Sequence, residues 1–313
     1  MKIEKILTNG FFVTIVAIFC CALWGSATPF IKIGYSLMLP ATDAASTILF
    51  AGIRFFIAGV LVVAIYSLIR KCWIFPKRDN WGRVGLVSLF QTVLQYIFFY
   101  IGLVYTTGVK GTVISGSGTF SAILIGCLVF RYERLSVRKM LACLIGFSGI
   151  VLINWNGLES SFNFFGDGFV FFATVCYGVS SSLMKRYSSM EDSVVISGYQ
   201  FMLGGLVMML FGWCFGGVVW IDTPKAWAVL GYLSFLSAVA YSLWGILLTY
   251  NPISKVAVFS FMIPVFGVLL SEWLLTESGG ISPTKIVIAL AMISFGILIQ
   301  NDATTKRRNE FND

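Results

Sequence analysis

Gln91 and Gln95 both sit in a long apolar stretch and share one helical face with Phe98 and Gly102, at spacings of four, three and four. An amide in apolar surroundings costs free energy unless it is partnered. The two side chains therefore belong either between helices, as hydrogen-bonding glue, or beside a wet cavity that takes a small polar molecule. A second stretch repeats the pattern with Ser237, Tyr241 and Trp244 on the matching face, Ser237 standing 146 positions after Gln91 and Tyr241 146 positions after Gln95. Trp24 and Thr28 in one apolar run correspond to Tyr177 and Ser181 in another, and Ser115 corresponds to Ser260. Trp24, Thr28, Gln91, Gln95, Ser115, Tyr177, Ser181, Tyr241, Trp244 and Ser260 are thus the candidate binding residues, with simple helix packing as the alternative for each aromatic. Arg54 is the one basic residue well inside an apolar run, eight residues beyond Ser46 and about 12 Å along a helix axis. It either snorkels to the interface or, with Lys110, clamps an anion.

Other chemistries find no support. The chain has no histidine, so neither a Ser-His-Asp nor a Cys-His arrangement can be built, and no cysteine or carboxylate group has metal-ligand spacing. Gly108-Val109-Lys110-Gly111-Thr112 lacks the full phosphate-loop spacing and follows no strand. Ser115-Gly116-Ser117-Gly118-Thr119 suits close helix packing or a substrate-facing stretch. No Asp or Glu falls at the centre of an apolar run, so a carboxylate proton relay is not visible. The expectation is a protein that is not an enzyme and needs no cofactor or metal.

With 58% hydrophobic and 12% charged residues over 313 positions, the chain has too few polar side chains to cover a globule. A helix needs about 20 apolar residues to span a bilayer. Ten segments qualify or nearly so: Gly10 to Gly34, Ser46 to Ile69, Val84 to Thr107, Lys110 to Phe130, Val137 to Asn154, Gly168 to Met184, Val194 to Gly216, Trp227 to Tyr250, Val256 to Leu275 and Lys285 to Gln300. The connections carry Phe75-Pro76, Asn156-Gly157, Asp222-Thr223-Pro224 and Asn251-Pro252, which end helices. The run after Met1 to Lys5 is longer than a signal-peptide core and reads as an uncleaved first helix. The formal charge of +8 has no single basic face, which argues against nucleic acid. If the N-terminus is cytoplasmic, seventeen of the 22 Lys and Arg lie in inside segments and four outside, namely Lys32, Lys110, Lys225 and Lys285. That imbalance predicts a multi-pass plasma (inner) membrane protein with both termini in the cytoplasm.

The segments form two matching sets. Trp81, Gly85 and Ser88 return as Trp227, Gly231 and Ser234; Gly52, Phe55 and Gly59 return as Gly198, Phe201 and Gly205; and the corner at Glu133, Ser136 and Lys139 returns at Glu277, Ser282 and Lys285. The fold class expected is an all-α membrane protein of ten transmembrane helices, built as two five-helix repeats, 10–154 and 166–301. An odd number of helices per repeat inserts the second upside down, the inverted-repeat plan of secondary carriers.

Ala22-Leu23-Trp24-Gly25-Ser26 leading to Lys32, Ala51-Gly52-Ile53-Arg54-Phe55-Phe56, Tyr132-Glu133-Arg134-Leu135-Ser136 and Ile263-Pro264-Val265-Phe266 resemble the EamA-type drug/metabolite transporters over about Phe11 to Asn301. The resemblance implies a ten-helix carrier, often an exporter of amino acids or related metabolites. Phe120 departs from it: the fourth helix of that family usually has a proline there, and Gly116 and Gly118 are the residues that could loosen this helix instead. The function expected is export or facilitated movement of small metabolites by alternating access, with a small-molecule substrate and the lipid bilayer as partners and the oligomeric state open. The alternatives are an exchanger of phosphorylated metabolites or nucleotide sugars, which should carry more buried basic residues, and a non-transporting lipid-interacting protein, which should lack a central polar cavity.

Overall fold

Capping residues set where the helices begin. The side-chain oxygens of Asn9, Asp43, Ser136, Asn163, Asp192 and Thr223 each accept backbone N–H groups from the first turn that follows them, and Pro224 adds the preset φ favoured at a helix start. The structure is a computed structural model and describes residues 2–106, 108–155, 161–275 and 283–309. Of the expected features, Thr107, Asn156-Gly157, Glu277 and Ser282 lie outside the described residues, as do the side chains of Asn154 and Asn301.

After a short helix, Lys2–Leu7, come α1 (Gly10–Met38), α2 (Ala44–Arg70), α3 (Arg78–Tyr105), α4 (Lys110–Val129), α5 (Val137–Asn154), α6 (Phe164–Tyr187), α7 (Ser193–Cys214), α8 (Pro224–Tyr250), α9 (Ile253–Ser271) and α10 (Pro283–Asn309). Eight of these, α1 to α4 and α6 to α9, are long and apolar enough to cross a membrane, while α10 contributes the shorter apolar stretch Thr284–Ile299. No strand occurs among the described residues. Large apolar side chains face outward, among them Phe11, Leu68 and Trp213, each at least 70% exposed, as expected of a surface solvated by lipid.

The helices pack in definite pairs: α2 with α7, α5 with α10, α1 with α8 and α9, and α6 with α3 and α4. α2 and α7 run antiparallel with their backbones nearly touching. A Cβ on Gly52 would lie 2.9 Å from Gly205 O, and one on Gly59 2.6 Å from Gly198 O, so a larger side chain at either crossing would force the helices apart. α5 and α10 are likewise antiparallel, with Gly149 against Ala289 and Gly296 against Ala142.

Three helices contain wide π turns, at Leu89–Leu94 in α3, Ile125–Val129 in α4 and Phe164–Gly168 at the start of α6. α4 is also broken at Ser117, between Gly108–Gly116 and Gly118–Leu124, which is where Gly116 and Gly118 were expected to loosen it in place of proline. The π turn in α6 moves the helix start from the expected Gly168 back to Phe164 and brings Asp167 inside it, buried at 3% exposure.

Candidate functional site

Trp24 of α1 lies edge-on to both Tyr241 and Trp244 of α8, with ring centroids 5.0 Å apart in each case. Tyr241 is edge-on to Phe201 of α7 at 4.9 Å, and Phe201 stacks flat on Phe55 of α2 at 5.1 Å. Phe55 touches Tyr96 of α3 at 4.5 Å, and the Tyr96 and Tyr241 hydroxyls share a hydrogen bond of 2.6 Å. On the far side of Trp244, Tyr177 of α6 approaches Ser181 and Ser260, and Ser260 shares a 2.9 Å hydrogen bond with Thr119 of α4. A continuous aromatic and hydroxyl wall thus joins α1, α2, α3, α4, α6, α7, α8 and α9.

Along this wall Trp24 Nε1 and Arg54 Nε and Nη1 are buried without a hydrogen-bond partner, and Tyr177 lies within hydrogen-bonding reach of Trp244; Gln91 Oε1 and Gln95 Oε1 on α3 are also buried without a partner. A buried donor or acceptor left unmade costs more than an average bond gains, so such a cluster marks groups held ready for something else. Arg54 is 3% exposed, so it does not snorkel to the interface; its Cζ lies 4.3 Å from the Phe55 ring centroid, and its charge acts on Tyr35, Tyr96 and Tyr241.

The candidates divide accordingly. Trp24, Tyr177, Ser181, Tyr241, Trp244 and Ser260 come together, with Arg54 at one end. Thr28 is exposed on α1, facing Gly267 of α9, and Ser115 is partly buried just before the break at Ser117. Lys110 stands apart from Arg54: its Nζ donates to Asp167 Oδ2 at 2.7 Å and to Ser161 O at 2.8 Å, which matches its charge at the α4–α6 junction. The α3 face named in advance also departs from expectation. Phe98 packs on Phe169 of α6 at 5.3 Å, and a Cβ on Gly102 would lie 2.9 Å from Gly166 O, so that face meets α6. Tyr96, the neighbour of Gln95, is the residue that reaches Tyr241. A π turn carries about one residue more than an α turn and rotates everything after it by about 100°, so helical spacing counted through 89–94 points one residue off. Tyr96, Phe55 and Phe201 were missed; their one visible signal is that aromatic residues recur in these helices, which is weak in so aromatic a chain.

At the end of α4 and α9 that carries the α4–α5 corner, Glu133 accepts Ser254 N at 3.2 Å, takes the Ser254 hydroxyl on its other oxygen and pairs with Lys139 Nζ at 2.6 Å. Burial pushes the Glu133 carboxyl up, but the charge of Lys139 and the hydrogen bonds from Lys139 and Ser254 outweigh it and hold the group below its usual value. Thr119 with Ser260, Gly126 against Ile253, and Cys21 Sγ on Phe259 O at 3.2 Å close the same region.

A solved crystal structure superposes on 92% of this chain and 98% of its own with a TM-score of 0.74 at 18% identity, which shows the shared fold. Relatives include an uncharacterized transporter of Archaeoglobus fulgidus, 27% identical over 82% of this chain and 86% of that protein. The uncharacterized transporter YvbV of Bacillus subtilis is 24% identical over 83% and 82%. A chloroplastic WAT1-related protein of Arabidopsis thaliana is 23% identical over 82% and 62%. The EamA-like transporter family model matches residues 11–155 and again 164–301. Two matches that together take in both halves of the helical bundle make this chain a member of the EamA-like transporter family, within the drug/metabolite transporter superfamily.

Proposed function

We propose that the protein is a secondary carrier of small metabolites such as amino acids. It works as an exporter or facilitator, with the wall around Trp24, Tyr241 and Trp244 as its substrate site and both termini in the cytoplasm of a plasma (inner) membrane. The observation that carries this reading is that Trp24 Nε1 of α1 and Arg54 Nε and Nη1 of α2 are buried without partners beside the aromatic contacts to α7 and α8. In a lipid-embedded bundle such atoms are costly unless a substrate or water takes them.

The mechanism is alternating access between inverted five-helix units, 10–154 and 166–301, counted as ten spans. Replacing each helix by the one five places on turns the α1–α8 contact into α6–α3, α1–α9 into α6–α4, and returns α2–α7 and α5–α10 to themselves. Phe55 and Phe201 stack on each other, and the Gly52–Gly205 approach exchanges with Gly198–Gly59. The π turn in α3 also accounts for the register: counterparts lie 146 apart up to Ser88 and Ser234, but 145 apart at Ser115 and Ser260. Past the extra residue Tyr96, not Gln95, is the counterpart of Tyr241, and these two hydroxyls bond to each other. A pseudo-two-fold axis passing between equivalent residues is the geometry in which swapping the two units' conformations moves a central site from one side to the other.

Purified protein in vesicles, offered a panel of labelled amino acids and related metabolites, should carry at least one faster than empty vesicles. Tyr241→Phe should weaken its apparent affinity severalfold, the loss of about one hydrogen bond. A carrier indifferent to this change would remove Tyr241 from the site, and no flux of any panel member would favour the lipid-interacting alternative.

A further inference from the structure

Arg54 stands ten residues into the 27-residue α2 from Ala44, about 15 Å along the axis, and is 3% exposed. It is buried with Nε and Nη1 unpartnered, and no carboxylate stands within ion-pair distance of it among the described residues. The position 146 residues on is Gln200, a neutral side chain whose Oε1 accepts the Thr92 hydroxyl at 2.7 Å, so the α2–α7 crossing itself does not require a cation. The contacts of Arg54, the Phe55 ring and the Tyr96 hydroxyl, are neutral; a buried cation with no opposite charge beside it is strongly unfavourable, whereas guanidinium and carboxylate meet in a two-pronged, charge-assisted pair.

We propose that Arg54 anchors the carboxylate of an organic monoanion whose planar apolar body lies against Trp24, Tyr241 and Trp244. This rests on the carrier reading above and narrows its substrates from zwitterionic amino acids to related organic monoanions. The Tyr96–Tyr241 hydrogen bond lies between the guanidinium and the Trp24–Trp244 pair, so binding parts it and exchanges one neutral bond for a charge-assisted one. With no acidic side chain within ion-pair distance of Arg54 among the described residues to take an ammonium, a net anion suits the site better than a zwitterion.

Calorimetric titration of the detergent-solubilised full chain with phenylacetate and with phenylacetamide tests this without any variant. The acid should bind about 10–100-fold tighter than the amide, the worth of a hydrogen bond to a charged group. It should also bind tighter than the zwitterion phenylalanine. Arg54→Gln should erase the acid's advantage, and Arg54→Lys should keep part of it, because charge survives without the fork. Phenylacetate binding no tighter than phenylacetamide, including no binding of either at millimolar concentration, would overturn the proposal. So would an Arg54→Gln protein that keeps the preference, or phenylalanine outbinding the acid. Flux into vesicles is read separately: a neutral solute carried equally well by the unmodified protein and Arg54→Gln would leave the carrier standing while removing the anion site. If neither acid nor amide crosses the vesicle membrane, the carrier reading loses support, while the acid-over-amide preference in detergent still decides the role of Arg54.

Discussion

Glu133 is held between Lys139 and Ser254, and its lowered carboxyl has a consequence for acid stability. A group whose folded pKa lies below its unfolded one contributes stability above the unfolded value and loses it as the pH falls toward the folded one. The melting temperature should therefore drop as the pH falls below about 4.5, the ordinary value of this carboxyl. Glu133→Gln should flatten that acid limb and cost about 1–3 kcal/mol at neutral pH, where it leaves Lys139 without its charge partner. Thermal melts of both proteins between pH 3 and 7 check this, and parallel acid limbs would show that Glu133 contributes no linkage. At the same scale, depth and repeat position singled out Trp24, Tyr177, Tyr241 and Trp244, which the structure brings together. The Lys110–Asp167 pair was not, since counting residues does not reveal that a π turn draws Asp167 into α6 beside Lys110.

Among the elements, α4 and α9 carry the conformational argument. Their contacts, Thr119 with Ser260, Gly126 with Ile253 and Glu133 with Ser254, fall toward the end of α4 and the beginning of α9, while the later part of α9 packs on α1. In the inverted-repeat reading this is one closed end of an alternating-access cycle, and the break at Ser117 together with the 3-10 turn Val258–Phe261 supplies the backbone slack for opening it. Cysteines replacing Thr119 and Ser260 should form a disulfide that stops flux, and a reductant should restore it. A cross-linked carrier running at the unmodified rate would show that this contact never opens. Helix starts were the most legible level: the expected Gly10, Val137 and Val194 fall within one residue of the observed starts, which Asn9, Ser136 and Asp192 cap. The π turn at Leu89–Leu94 was not legible, because a wide turn depends on what packs beside it, and it is Tyr96, not Gln95, that meets Tyr241.

At the scale of the whole molecule, the inverted-repeat proposal requires that the Pro76–Asn80 and 161–163 connections lie on opposite sides of the membrane. With the exposed Cys72 and Cys214 replaced, single cysteines at Asp79 and Ser161 should be labelled by an impermeant reagent from the cytoplasmic and external sides respectively. Labelling of both from one side would remove the inversion. Composition and apolar run length by themselves determined an all-helical membrane bundle, because a chain with 58% hydrophobic and 12% charged residues has few other ways to satisfy its backbone. The matched spacing of Gly52 and Gly59 with Gly198 and Gly205 falls on two helices that cross closely, where approach restricts those positions to the smallest residue. Only the tertiary structure decided which side chains meet. That Arg54 meets Phe55 and Tyr96 but no carboxylate among the described residues, while Lys110 finds Asp167 and Gln200 finds Thr92, depends on the rotation of each helix about its axis. Packing against several neighbours at once sets that rotation, and one extra residue in a turn changes it by about 100°.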